Sequence, residues 1–231
     1  MKVLDLGCGT GAITVGIAEA VGPTGQVVGV DRDHRLLALA RQEHGNIPNL
    51  SFTEGDAMAL AFERSFDIVT AARTVQWISE PLRAIVGMKR AAKPGGQIVV
   101  LDYNHDNNSW EPEPPREFRR FYQAFLAWRA ANQWDNRIAD RLPELFQEAS
   151  VANVQVEVDD ETVEVGDADF LDAAGIWTHV IRVTGPEITH AGFLQETERM
   201  DAEVAYRDWV RNGLQKQTLE MRTVSGELTA A

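Results

Sequence analysis

The chain has 231 residues, 44% of them hydrophobic, a single cysteine and a formal charge of −13, which fits one large domain able to bury its own core. The acidic balance excludes a global basic field for nucleic acid or anionic lipid, the lone cysteine excludes an internal disulfide framework, and no apolar run reaches the roughly 18–20 residues of a membrane span. With an apolar run already at residue 3 and no charged-then-apolar leader before it, a cytoplasmic protein is expected.

Along the first hundred residues, short apolar runs alternate with helical patterns. Val3–Leu6 reads as a buried strand, and Ile13, Ile17, Ala18 and Val21 mark a helix over 12–21. "GPTG" ends that helix and "QVVGVD" is the second strand. Leu36, Leu37, Leu39 and Ala40 define a second helix. "LSFTEGD" and "FDIVTA" are the third and fourth strands. "EPLRAIVGMKRAAK" is a helix stopped by Pro94-Gly95-Gly96, and "QIVVLDY" is the fifth strand. Strands without a polar face, alternating with helices, predict a parallel sheet covered on both sides.

After Tyr103 the rhythm changes. "NHDNNSWEPEPP" reads as a crossing loop. A helix starts near Pro115 with Phe118, Phe121, Tyr122, Phe125 and Leu126 on one face. "IADRLPELFQEAS" is another helix, and "VQVEVDDETVEV" alternates like antiparallel strand. Helical stretches cover about 167–183 and 195–212, and "QKQTLEMRTVSG" reads as a last strand.

The first strand runs into Gly7, Gly9 and Gly11, a GxGxG spacing. Glycine lets the main chain turn sharply and approach a ligand, and the helix behind it presents unpaired N–H groups. Asp31 ends the second strand 20 residues after Gly11, where it either caps the next helix or takes a ribose diol. Asp56 ends the third strand, and Asp5 lies inside the first. Three converging carboxylates suit a cationic ligand and would repel a dinucleotide pyrophosphate. The ligand suggested is a phosphate-free nucleoside with a positive end. No Cys/His cluster has metal-ligand spacing, so no metal is expected.

Taken together, "VLDLGCGTG", "GVD", "EGDA", "FDIV" and "KPGGQIVVLD" resemble the class I S-adenosylmethionine-dependent methyltransferases, within them the small-molecule branch that includes ubiquinone/menaquinone-biosynthesis enzymes. The resemblance covers about residues 2–103. It implies an α/β, Rossmann-like fold: a seven-stranded, mostly parallel sheet with an antiparallel last strand and helical cap insertions. A single domain over 1–231 is expected, with 1–103 as the cofactor-binding half and insertions at 104–150 and 167–213. By resemblance, Gly7, Gly9 and Gly11 border the methionine portion of S-adenosylmethionine (S-adenosylhomocysteine as product), and Cys8 and Thr10 give backbone contacts. Asp5 lies near the ammonium, Asp31 takes the ribose hydroxyls and Arg32 flanks the adenine. Asp56 and the Ala57 N–H serve the adenine edge, while Ala71 and the loop to Trp77 close over the methyl.

Family members carry a helical segment before the first strand. Here only two residues precede that strand, so either the natural chain starts earlier, or the later insertions or the partner in a homodimer are the expected cover. His105 or Tyr103, at the end of the fifth strand, is the candidate base for an unionised acceptor. Arg73, Trp77, Tyr122 and Trp128 are candidates for holding the acceptor, a small and partly apolar molecule; nucleic acid is not expected in that role. The rivals are a non-catalytic S-adenosylmethionine binder and an NAD-dependent oxidoreductase, the latter predicting GxGxxG.

Overall fold

The computed structural model describes residues 1–229. In chain order the elements are β1 (Lys2–Leu6), α1 (Ala12–Val21), β2 (Gln26–Asp31), α2 (His34–His44), β3 (Leu50–Glu54), β4 (Phe66–Ala72), α3 (Pro81–Ala91), β5 (Ala92–Tyr103), β6 (Ser109–Glu111), α4 (Arg116–Ala131), α5 (Ile138–Glu148), β7 (Ala152–Val158), β8 (Glu161–Glu164), α6 (Phe170–Ala174), α7 (Ile176–Val183), α8 (Gly185–His190), α9 (Glu196–Asn212), β9 (Lys216–Leu219) and β10 (Met221–Glu227). They group into two units. One comprises 1–103, 138–158 and the chain from 222 on, the other 104–137 and 159–221. Among the described residues, no helix is long and apolar enough to cross a membrane.

The first unit is built on a seven-stranded sheet of order β3-β2-β1-β4-β5-β10-β7. Pairings among β3, β2, β1, β4 and β5 are parallel, while β10 runs antiparallel to its edge neighbour β7. The expected seven-stranded fold is therefore what forms. Its inner strands are apolar on both faces because helices cover both: Leu4, Val69, Ile98 and Val100 pack with Ile85 and Met88 of α3 and with Leu142 and Phe146 of α5. On the other side Val3 and Val27 meet Ala18 of α1. Each large side chain fully buried this way contributes about 1.5–3 kcal/mol. The chain goes out from β1 through β2 to β3 and then returns to β4 on β1's other side. The crevice outside the carboxyl ends of β1, β2 and β4 is thus a topological switch point, the place where open α/β sheets bind ligands.

The second unit joins a small antiparallel sheet, β6-β9-β8, to α4 and α6–α9. Phe118, Phe121 and Phe125 of α4, spaced to share one helix face, are all buried. Buried Gln217 ties this unit together. Its Oε1 accepts from Trp110 Nε1 at 2.9 Å and lies 2.8 Å from the Tyr206 hydroxyl. Arg129, wholly buried, donates from Nε to Asn136 Oδ1 at 2.8 Å and sits 5.4 Å from the Phe125 ring centroid.

Five expectations are corrected here. "QKQTLEMRTVSG" is two strands, β9 and β10, in different sheets. "VQVEVDDETVEV", expected as one strand, is likewise two, β7 and β8, in different sheets, because Asp159-Asp160 interrupts it: Asp160 Oδ1 accepts the Met221 N–H at 2.9 Å. The crossing loop after Tyr103 contains β6. The first insertion ends at Arg137 instead of running to 150, since α5 buries Ile138, Leu142, Leu145 and Phe146 in the core of the sheet unit. The helix expected over 167–183 divides at Gly175 into α6 and α7.

Candidate active site

The loop after β1 is held to β2 by main-chain bonds. The N–H groups of Gly7 and Cys8 both donate to Val30 O, at 2.7 and 3.0 Å, and Gly11 N–H donates to Cys8 O at 2.8 Å. All three loop glycines have positive φ, +73°, +54° and +85°, a region that L side chains avoid. They differ in what surrounds them. A side chain at Gly7 would run into Thr74, and one at Gly11 into Phe52 and His44. A Cβ at Gly9 would meet nothing within 4 Å. Gly7 and Gly11 are bare because the protein packs against them; Gly9 is bare and faces open space. No side chain caps α1, whose N-cap is Gly11, so its first N–H groups are left for an anion.

Asp31 meets this loop directly. Its Oδ2 accepts the Gly9 N–H at 2.9 Å and its Oδ1 the Asp33 N–H at 2.8 Å. Each oxygen keeps a further lone pair. The helix cap is Asp33, whose carboxylate accepts the Arg35 N–H, so capping does not explain Asp31. Asp56 is exposed, with Oδ1 accepting the Met58 N–H at 2.8 Å at the start of a 3-10 turn, Ala57–Ala59. Arg32 is exposed, while Thr10 and Ala57 are half-buried.

Asp5 and Ala71 are placed differently from expectation, while Cys8 and Asp67 serve the packing of the sheet unit. Asp5 is 2% exposed and accepts the Thr14 hydroxyl at 2.6 Å, bracing β1 to α1 instead of standing open at a ligand's ammonium end. Burial raises its pKa to about 6; the Thr14 bond pulls it down and the charge of Asp31 pushes it up. Cys8 is buried, and its Sγ fills the space a side chain at Gly29 would need. Burial, with Asp5 and Asp31 nearby, pushes the thiol up to about 12, so it is no nucleophile at neutral pH. Ala71 is fully buried in the core of the sheet unit, and the loop proper begins after it, at Arg73. Asp67 is a strand-start brace, bonded to the Lys2 N–H and to Lys93 Nζ, both at 2.6 Å.

The loop after β4 carries exposed Arg73, whose guanidinium lies 5.5 Å from the Tyr103 ring centroid, and half-buried Trp77. Thr74, Gln76 and Asp102 gave no expectation from sequence, yet they shape this loop. Thr74 packs on Gly7. Gln76 and Asp102 are 3% and 0% exposed, and Asp102 Oδ2 accepts the Gln76 N–H at 3.0 Å. A carboxylate inside the apolar run "IVVLDY" was the one available signal.

The remaining candidates lie in the second unit. His105 is buried, not a loop residue in solvent; it stands edge-on to Phe125 and Trp177. Burial, then the positive charge of Arg129, lowers its pKa well below the ordinary value, so its imidazole is neutral at pH 7. The Tyr122 hydroxyl donates to His105 O and accepts from Asn108 Nδ2, and Trp128 packs on Phe125 and Trp134. Both are part of this unit's own aromatic packing.

A switch-point crevice with an open glycine, an uncapped helix start and two strand-end carboxylates defines a nucleoside-binding α/β protein. A family profile described as "Methyltransferase domain" matches residues 1–160. The chain belongs to that family, and with it to the S-adenosylmethionine-dependent methyltransferases. A demethylmenaquinone methyltransferase of Staphylococcus aureus is 30% identical over 174 residues, spanning 67% of this chain and 69% of the relative. Solved structures share the fold. The YcgJ protein of Bacillus subtilis gives a TM-score of 0.61 at 18% identity, covering 100% of this chain and 92% of that one. The phosphoethanolamine N-methyltransferase 2 of Haemonchus contortus, in complex with S-adenosyl-L-methionine, gives 0.60 at 16%, covering 100% and 49%. The [4+2]-cyclase SpnF gives 0.58 at 20%, covering 100% and 76%.

Proposed function

We propose that the protein methylates a small, partly apolar molecule that needs little help in losing a proton, with S-adenosylmethionine seated on the β1–α1 loop. The observation that carries this reading is Gly9: bare, open on its Cβ side, and hydrogen-bonded to Asp31. When bound, S-adenosylmethionine supplies an electrophilic methyl and leaves as S-adenosylhomocysteine. Main chain at Gly9 allows close approach of the methionine portion, with Gly7, Cys8, Thr10 and Gly11 as the rest of the cradle. The free lone pairs of Asp31 accept the ribose hydroxyls. Asp56 accepts from the adenine amino group, with Ala57 N–H and Arg32 beside the ring. Asp5 acts from behind, as a buried negative charge close to Asp31.

The chain contributes alignment more than proton transfer. Holding a nucleophile in line about 3 Å from a methyl carbon accounts for several kcal/mol of barrier. A buried histidine whose charged form is disfavoured is a poor base at neutral pH. This favours acceptors already carrying a lone pair or an ionised oxygen, with Tyr103 and Arg73 as the groups beside it. Arg73 suits an acidic group on the acceptor, and Trp77 its apolar part. The Staphylococcus aureus relative is named for demethylmenaquinone, a candidate for the acceptor here. Polynucleotide acceptors are disfavoured by the charge of −13.

Calorimetry with S-adenosylhomocysteine, S-adenosylmethionine and NAD tests the reading. Micromolar binding of the first two and none of NAD is expected. NAD binding without response to either S-adenosyl compound overturns it.

A further inference from the structure

The loop after β4 holds a residue in a conformation it would not choose. Arg73 has φ +56°, in the left-handed region, where a side chain is disfavoured. Such conformers persist only where surrounding structure over-determines them. Here three bonds do so. Arg73 N–H donates to Leu101 O at 2.7 Å, Gln76 Nε2 donates to Arg73 O at 3.2 Å, and the Gln76 N–H is fixed by Asp102 Oδ2 at 3.0 Å. The other oxygen of Asp102 accepts the Tyr103 N–H at 3.1 Å. A buried carboxylate is costly unless its oxygens are bonded, and here both are taken by main chain. The next residue, Thr74, fills the side of Gly7, and its Oγ1 lies 3.0 Å from Ala72 O and 3.4 Å from Gly7 O.

We propose that Asp102 and Gln76 are positioning residues for the cofactor. They latch residues 73–77 so that Thr74 stays seated on Gly7 and the glycine loop keeps its ligand-accepting shape. The inference rests on the cofactor lying on that loop. Neither residue touches the cofactor; each acts through Arg73 and Thr74.

The test uses the full chain. Gln76→Ala should weaken S-adenosylhomocysteine binding at least tenfold by calorimetry and raise the KM for S-adenosylmethionine more than it lowers kcat. Adding Arg73→Gly should recover most of that affinity, because glycine takes the left-handed conformation without a latch. Should Gln76→Ala fold poorly, Asp102→Asn serves. It cannot accept both main-chain N–H groups, and should speed hydrogen exchange at the Gln76 amide of the ligand-free protein while weakening binding. Unchanged affinity in the variants of a wild type that binds overturns the latch, as does loss of affinity that Arg73→Gly fails to rescue. Failure of the wild type to bind overturns the proposed function instead, and the exchange of the Gln76 amide then decides the latch alone.

Discussion

Gly9 donates its main-chain N–H to Asp31 Oδ2 at 2.9 Å, so the turn that ends the first strand is bonded to the residue that ends the second. The glycine and the acid are thus one structural feature, not two neighbouring motifs. Removing the acid frees the loop and takes away the lone pairs proposed to meet the ribose.

Asp31→Ala should therefore weaken S-adenosylhomocysteine binding by about 1–3 kcal/mol, the cost of leaving polar groups without partners. Calorimetry reads the dissociation constant directly. An unchanged value takes Asp31 out of the site.

The three loop glycines should respond differently to alanine. Gly9→Ala pays mainly backbone strain, about 1–2 kcal/mol, and should lose affinity out of proportion to its fall in Tm. Gly7→Ala must also displace Thr74, so its Tm should fall further. Equal effects on Tm would show that the surroundings of the two residues do not matter.

Asp5 should make stability depend on pH. Its folded pKa, about 6, lies above the ordinary 3.8, so the folded protein binds the proton more tightly than the unfolded chain. That contribution is complete below pH 3.8 and is lost as pH rises through about 6. Asp5→Asn keeps an acceptor for Thr14 and removes the buried charge. At pH 7 it should be more stable than wild type by up to about 3 kcal/mol, with a flatter profile between pH 4 and 6. Denaturant titrations across that range check the sign.

His105 should act in the opposite direction. With its folded pKa depressed, the unfolded chain takes the proton first, so this contribution is present above about pH 6.5 and lost as pH falls toward the folded value. His105→Phe should remove that acid-side loss, seen as a smaller drop in Tm between pH 7 and 5. Turnover that vanishes in this variant with Tm and cofactor affinity intact would return His105 to the role of base.

Much of the sheet unit was legible because its signals are local. An apolar strand, a glycine turn and an acid at the next strand end are each read within a few residues. What escaped were features set by long-range packing. The small β6-β9-β8 sheet joins three short strands from distant stretches, and the strand reading of residues 215–226 hid a change of sheet at Glu220. His105 looked solvated because its run is polar; it is buried because Phe125 and Trp177, far along the chain, close on it. The spacing of Phe118, Tyr122 and Phe125 gave a buried face without saying what lies on it. Thr74 was invisible for a similar reason, since the need for a bare Gly7 comes from a loop that follows another strand.

The placing of β10 between β5 and β7 has a consequence for how the chain is made. Tyr103, at the end of β5, leaves the ribosome long before Met221 does, so β5 spends much of synthesis with a raw flank. Chaperone contact or transient pairing would concentrate there. Cutting the chain short of Met221 would remove an inner plank of the sheet, not a dispensable tail.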